Sequence, residues 1–230
     1  MRTIGLIGGM SFESSAVYYR LINEMVRDRL GGFASAELLM HSVNFEEIVA
    51  MQKAGDWEAA GKRLGDVAAR LQSAGADCVL ICTNTMHLVA DRITDAVGIP
   101  FLHIADAAGA AVSGAGLATV GLLGTAFTME KPFYAEKLAA HGIRTLVPDA
   151  DDRRTVHAVI YDELVHGVVR DESRRAYVEV VDRLIARGAE GIVLGCTEIE
   201  LLLSARDVPV PVFPTTSLHV DAAIAAALAD

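Results

Sequence analysis

Gly191-Ile-Val-Leu-Gly-Cys-Thr-Glu198 is an apolar run of strand length that stops on a glycine and presents a cysteine at the start of the segment that follows. A strand that is continuously apolar, rather than alternating, is buried on both faces, and that is the mark of a parallel sheet covered by helices. Cys78-Val-Leu-Ile-Cys-Thr-Asn-Thr-Met-His87 has the same design in the first half of the chain. Two such strands, each followed by polar residues and a predicted helix, set the frame for the remaining segments.

Working outward, apolar strands are expected at 3–7, 36–43, 78–82 and 99–104. Between them lie helical patterns through 21–30, closed by Gly31-Gly32, through 57–71, and from near Asn84. The second half repeats this order, with strands at 119–123, 144–147, 191–194 and 210–213. Its helices are expected at 131–141, 155–165 and 174–187, with an Ala-rich helix at the C-terminus. Gly5-Leu-Ile-Gly8 aligns with Gly121-Leu-Leu-Gly124 at an offset of 116, and Thr83 aligns with Cys196 at an offset of 113. Ile99-Pro-Phe-Leu-His-Ile-Ala-Asp106 is echoed by Val210-Pro-Val-Phe213 and by Leu218-His-Val-Asp221. Three echoes in one order imply an α/β fold of two pseudo-symmetric lobes, each a parallel sheet flanked by helices. The expected division is 1–102 plus 215–230 for the first lobe and 103–214 for the second, with the active site at the lobe interface.

The totals narrow the function. A net charge of −10 and a pI near 5.1, without basic clusters, argue against nucleic-acid binding. A hydrophobic content of 52% and a mean hydropathy of +0.36 fit buried strands and Ala-rich helices, because no apolar run approaches a membrane span. The Gly-rich N-terminus reads as a first strand and not as a signal peptide, so a cytoplasmic location is expected. Cys78, Cys82 and Cys196 are odd in number and form no C-x-x-C, which argues against a disulfide framework or a zinc site.

In open parallel sheets, ligands bind beyond the carboxyl ends of the strands. The polar residues at those ends are Ser11, Asn44, Thr83-Asn84-Thr85, Thr125, Thr128 and Cys196-Thr197. Small hydroxyl and amide side chains suit a carboxylate and an ammonium better than a metal or a nucleotide. Gly8-Gly9 before a helix lacks the rest of a dinucleotide fingerprint. Cys196, placed in the first turn of a helix, is expected to gain thiolate character from the free amides there. An acid on one face and a base on the other is what inversion at the α-carbon of an amino acid requires.

Along essentially its whole length the chain resembles the aspartate/glutamate racemase family, which works without pyridoxal phosphate. The residues carrying the resemblance are Gly8-Gly-Met-Ser11, His41-Ser-Val-Asn-Phe45, Thr83-Asn-Thr-Met-His87, Gly124-Thr125 with Thr128, and Gly195-Cys-Thr-Glu198. The resemblance implies two lobes with one catalytic group from each, a small amino-acid substrate, no cofactor, no metal and a homodimer. It implies Thr83 and Cys196 as the catalytic pair. Met10, Ser11, Asn44, Asn84, Thr85, Thr125, Thr128 and Thr197 form the candidate substrate-binding set. Family members carry a cysteine where this chain has Thr83, and Cys82 lies one position earlier. Adjacent strand residues point to opposite faces, so Cys82 is assigned to packing and Thr83 to the site. The resemblance implies that Cys196 faces the α-proton of the L-enantiomer; because a hydroxyl is a weaker base than a thiolate, the reaction is expected to favour that enantiomer. Related thiol-dependent isomerases and decarboxylases, of maleate and arylmalonate type, and a non-catalytic amino-acid-binding protein are the alternatives.

Overall fold

The computed structural model describes residues 1–229. The chain divides into two compact units, Met1–Ile104 with the C-terminal segment from His219, and Ala105–Leu218. In the first unit, β1 (Ile4–Gly8) is followed by α1 (Phe12–Leu30), β2 (Leu38–Ser42), α2 (Phe45–Ala54) and α3 (Trp57–Ser73). Then come β3 (Cys78–Ile81), a short 3-10 helix (Thr85–Val89) and α4 (Ala90–Thr94). The sheet runs β2-β1-β3, with both pairings parallel. Every residue of β1 and β3 is buried, as their unbroken apolarity requires. One face of the sheet, with Ile7, Val79 and Ile81, packs on Leu64, Val67, Ala68 and Leu71 of α3. The other face, with Ile4, Leu6, Cys78, Leu80 and Cys82, packs on Tyr18, Ile22 and Val26 of α1 and on Val220, Ala223 and Ile224.

Helix α5 (Ile104–Gly114) leads into the second unit, where β4 (Thr119–Gly124), α6 (Ala126–Glu130), α7 (Pro132–Ala140), β5 (Arg144–Leu146) and α8 (Ala150–Asp162) follow. They are succeeded by α9 (Asp171–Ala186), β6 (Gly191–Gly195), α10 (Ile199–Leu202), β7 (Val212–Pro214) and α11 (Thr215–Leu228). This sheet is also parallel, in the order β5-β4-β6-β7. Its core joins Leu123, Ile192 and Leu194 to Val156 and Ile160 of α8 and Tyr177, Val181 and Leu184 of α9.

The internal repeat is visible in individual bonds. Val79 N donates to Pro100 O at 2.9 Å, and Ile192 N donates to Pro211 O at 2.9 Å. The Asp77 carboxylate accepts from Thr3 N at 2.7 Å, and the Glu190 carboxylate accepts from Thr119 N at 2.8 Å. A Cβ on Gly5 would lie 2.9 Å from a Val79 methyl, and one on Gly121 would lie 2.8 Å from an Ile192 methyl. The same packing problem is thus solved the same way twice.

Several expected elements differ. The strand expected at 99–104 is reduced to a single bridge between Val79 and Phe101. Pro100 has no N–H to extend the ladder, and the chain turns into α5 at Ile104. Helix α2, absent from the periodicity reading, begins where the Asn44 side chain accepts from Glu46 N at 3.2 Å. Helix α8 starts earlier than 155, because Asp149 caps it through Asp151 N and Asp152 N. The segment from Asn84, expected to begin a helix, forms the 3-10 turn followed by the five-residue α4.

Candidate active site

The carboxyl end of β1 is tightly built. Gly9 has φ +92°, and a Cβ there would fall 2.2 Å from the Val43 carbonyl oxygen, so glycine is required on both counts. Ser11 caps α1 by accepting from Ser14 N at 3.2 Å. Ser15 Oγ accepts from Gly9 N at 2.7 Å and donates to Ser11 O at 2.9 Å. Ser14 Oγ donates to Cys82 O at 2.7 Å, which ties the first turn of α1 to the end of β3. Met10 is buried against Ile7, Val43 and Ile48, and Asn44, the cap of α2, is exposed. Beyond β3, Thr83 is half-buried while Asn84 and Thr85 are buried. Cys82 is fully buried, and burial pushes its thiol far above the ordinary range, so it is an uncharged core side chain.

In the second unit the equivalent corner is formed by β4 and β6, whose terminal residues Gly124 and Gly195 pair directly. A Cβ on Gly195 would come within 2.9 Å of Leu123 O, and one on Gly124 within 3.0 Å of Gly195 O. The paired glycines let the two strand ends approach closely. Thr125 caps α6 by accepting from Thr128 N at 3.4 Å, and the two hydroxyls lie 3.3 Å apart. Cys196 leaves the end of β6 with 7% of its surface exposed, and its thiol donates to Glu198 Oε2 at 3.0 Å. Thr197 between them is half-buried. The structure therefore gathers Met10, Ser11, Thr83, Asn84 and Thr85 at the adjacent ends of β1 and β3, and Thr125, Thr128, Cys196 and Thr197 at the adjacent ends of β4 and β6. Asn44 stands at the end of β2. Among the described residues, no group of three or more His, Cys, Asp or Glu is placed to hold a metal ion.

A family model for Asp/Glu/hydantoin racemases matches residues 7–223. The chain belongs to this family. A candidate Asp/Glu racemase from Yersinia pestis is 48% identical, with a TM-score of 0.95 and all of both chains covered. An aspartate racemase homologue from Pyrococcus horikoshii is 33% identical over 99% of each chain, with a TM-score of 0.87. The aspartate racemase of Picrophilus torridus, 20% identical over 99% of this chain and 94% of its own, has the same fold with a TM-score of 0.74. Family and neighbours together support an amino-acid racemase, an isomerase acting on a small molecule.

For a chain of this racemase family, the electrostatics at Cys196 differ from the sequence-based expectation. The following helix, α10, has four residues and begins three positions later, so Cys196 stands in a bend ahead of it and outside any first turn. Burial pushes the thiol well above its ordinary range, and the Glu198 carboxylate adds to that push. The backbone amides of Glu198 and Ile199 act in the opposite sense but are outweighed. The resting thiol is therefore protonated, and Glu198 is its nearest acceptor. Two further residues at this corner carried no sequence signal beyond their helical spacing on α8. His157 Nδ1 accepts from Ala126 N at 3.2 Å, and its ring lies 4.6 Å from that of Tyr161. Burial lowers the His157 pKa, which keeps the imidazole neutral and able to accept. In the first unit, His41 stays partly exposed on β2, while His87 and His103 are buried, their rings 4.5 Å apart.

Proposed function

We propose that this chain racemises aspartate, glutamate or both without a cofactor, and does so asymmetrically in favour of the L-enantiomer. Cys196 exchanges the α-proton of the L-enantiomer, and Thr83, directly or through water, returns a proton on the opposite face. The observation that carries this reading is the equivalence of the two positions. Val79 of β3 and Ile192 of β6 occupy the same place in their sheets at an offset of 113, and the same offset relates Thr83 to Cys196 and Thr85 to Glu198. One strand end thus offers a thiol with a carboxylate acceptor 3.0 Å away, while the other offers two hydroxyls.

The high thiol pKa is compatible with this chemistry. A thiolate generated in a buried site is a strong base, as removal of a weakly acidic α-proton demands. Glu198 takes the thiol proton as the substrate ammonium arrives. The Cα–H bond then breaks, the S–H bond forms, and the electron pair moves into the substrate carboxylate. Proton delivery from the Thr83 side completes inversion. Asn84, Thr85, Thr125, Thr128 and Thr197 hold the substrate carboxylate and ammonium, and Met10, Ser11 and Asn44 complete the set from the ends of β1 and β2. A Schiff-base route would need a lysine at the strand ends. Lys53 lies in the last turn of α2, Lys62 pairs with Asp66 on α3, Lys131 separates α6 from α7, and Lys137 pairs with Asp106. The family resemblance further suggests a homodimer, which light scattering of the purified chain would test.

The deciding experiment incubates each enantiomer of aspartate and glutamate with the chain in deuterium oxide, without added cofactor, and follows α-proton loss and optical rotation. The L-enantiomer should exchange faster than the D-enantiomer. Equal exchange of both would overturn the assignment of Thr83. Exchange of neither would leave a binding protein.

A further inference from the structure

The same offset of 113 that relates Thr83 to Cys196 relates His87 to Glu200, two buried or largely buried side chains of unlike chemistry. Each makes the same kind of bond. His87 Nε2 accepts from Ile104 N at 3.2 Å, in the first turn of α5. Glu200 Oε1 accepts from Thr216 N at 3.1 Å, in the first turn of α11. These are the two helices on which the chain passes between the units, at Ile104 and at Leu218. His87 also donates from Nδ1 to Thr83 O at 2.8 Å, so its neutral tautomer is set by the two partners and the ring bridges the strand end to the helix start. Packing holds this ring from several sides. His103 lies 4.5 Å away in an edge-on arrangement, and His219 lies 5.7 Å away. His219 is itself fixed between Tyr18 Oη at 2.9 Å and Leu102 O at 2.8 Å. On the other side, Thr215 Oγ1 donates to Leu194 O at 2.7 Å, so the start of α11 is bonded both to β6 and to the segment after it.

We infer that His87 and Glu200 are equivalent positioning residues, each holding the catalytic turn four residues before it against the first turn of a unit-crossing helix. A duplicated fold retains the tie in both copies although the side chain differs, because what is required is an acceptor for one backbone amide, and imidazole and carboxylate both provide it. Their effects on the reaction then separate. His87 governs the placement of Thr83, and hence inversion. Glu200 governs the placement of Cys196, and hence exchange of the L-enantiomer.

The inference rests on the racemase reading, and the test keeps the two apart. Four variants are compared with the wild-type chain: His87→Leu and Glu200→Leu, which remove the acceptor, and His87→Gln and Glu200→Gln, which retain one. L-Aspartate in deuterium oxide gives exchange and inversion as two rates. His87→Leu should lower inversion by about tenfold or more with exchange within about twofold of wild type, and Glu200→Leu should lower both, exchange limiting inversion. Both Gln variants should stay near wild type. If His87→Leu lowers exchange and inversion equally, or the Gln variants fall as far as the Leu variants, the positioning role is overturned. Should a Leu variant fail to fold, its Gln partner decides: a tenfold loss while amide protection at Ile104 or Thr216 is retained overturns the role. If the wild-type chain exchanges nothing, the racemase reading fails instead. The ties are then judged by whether amide protection at Ile104 and Thr216 is lost in the Leu variants and kept in the Gln variants.

Discussion

Cys196 combines a buried thiol, a carboxylate acceptor 3.0 Å away and a raised pKa, a combination that suits a base called on only when substrate is present. Cys196→Ala should therefore remove α-proton exchange and racemisation together, by about 10²–10⁴-fold, the usual contribution of a positioned acid–base group. Proton NMR in deuterium oxide reads both. Thr83→Cys should bring the exchange rates of the two enantiomers closer, because it places a thiol at both equivalent positions; a ratio unchanged from wild type would count against Thr83 as the opposing group. The existence of the thiol, its strand end and the absence of a matching cysteine are all legible in the sequence. The sign of its pKa shift is not. That sign depends on how much solvent the fold removes and on where Glu198 points, and neither follows from the local residue order. Ser11 shows the same limit, since its hydroxyl marks a strand end in sequence but is already engaged in capping α1.

At the scale of the element, the strand ends depend on glycines chosen for space. Gly195→Ala would bring a Cβ to 2.9 Å from Leu123 O, a contact with backbone that cannot rotate away. A loss of about 1–3 kcal/mol is expected from such overpacking, measured by urea unfolding, with exchange lowered as well because the displaced residue adjoins Cys196. Asn44→Ala should cost about 1 kcal/mol through the lost cap of α2, which the same titration would detect. Buried strands were the most legible elements, since a continuous apolar run admits few other readings. Short elements were the least. The bridge at Phe101, the 3-10 turn after Asn84 and the four-residue α10 are set by proline, by local bonds such as His87 to Thr83 and by tertiary bonds such as His87 to Ile104, not by periodicity.

Across the whole molecule, the duplicated fold carries titrating groups of opposite tendency. Burial lowers the His219 pKa from 6.5 to about 4, and burial also lowers that of His87 well below its ordinary value. The unfolded chain binds more protons than the folded one in that window, so this contribution is present above pH 6.5 and is lost as pH falls toward 4, on the order of 3 kcal/mol for His219 alone. Burial raises Glu200 from 4.5 to about 7, so its contribution runs the other way and is lost as pH rises across that range. Melting temperatures measured from pH 4 to 7 should show a shallower acid loss for His219→Gln and a smaller decline toward neutrality for Glu200→Gln. The sequence by itself determined that the chain is α/β, that its sheets are parallel and that one design occurs twice, because hydrophobic patterning and repetition are local and survive without coordinates. Only the tertiary structure decided which side chains at the strand ends also cap helices, which way the Cys196 thiol titrates, and that His87 and Glu200 each hold an amide in the first turn of a helix. Those outcomes depend on how deeply the fold buries each group, on the backbone geometry it imposes at the strand ends and, for His87 and Glu200, on amides distant along the chain that only folding brings near.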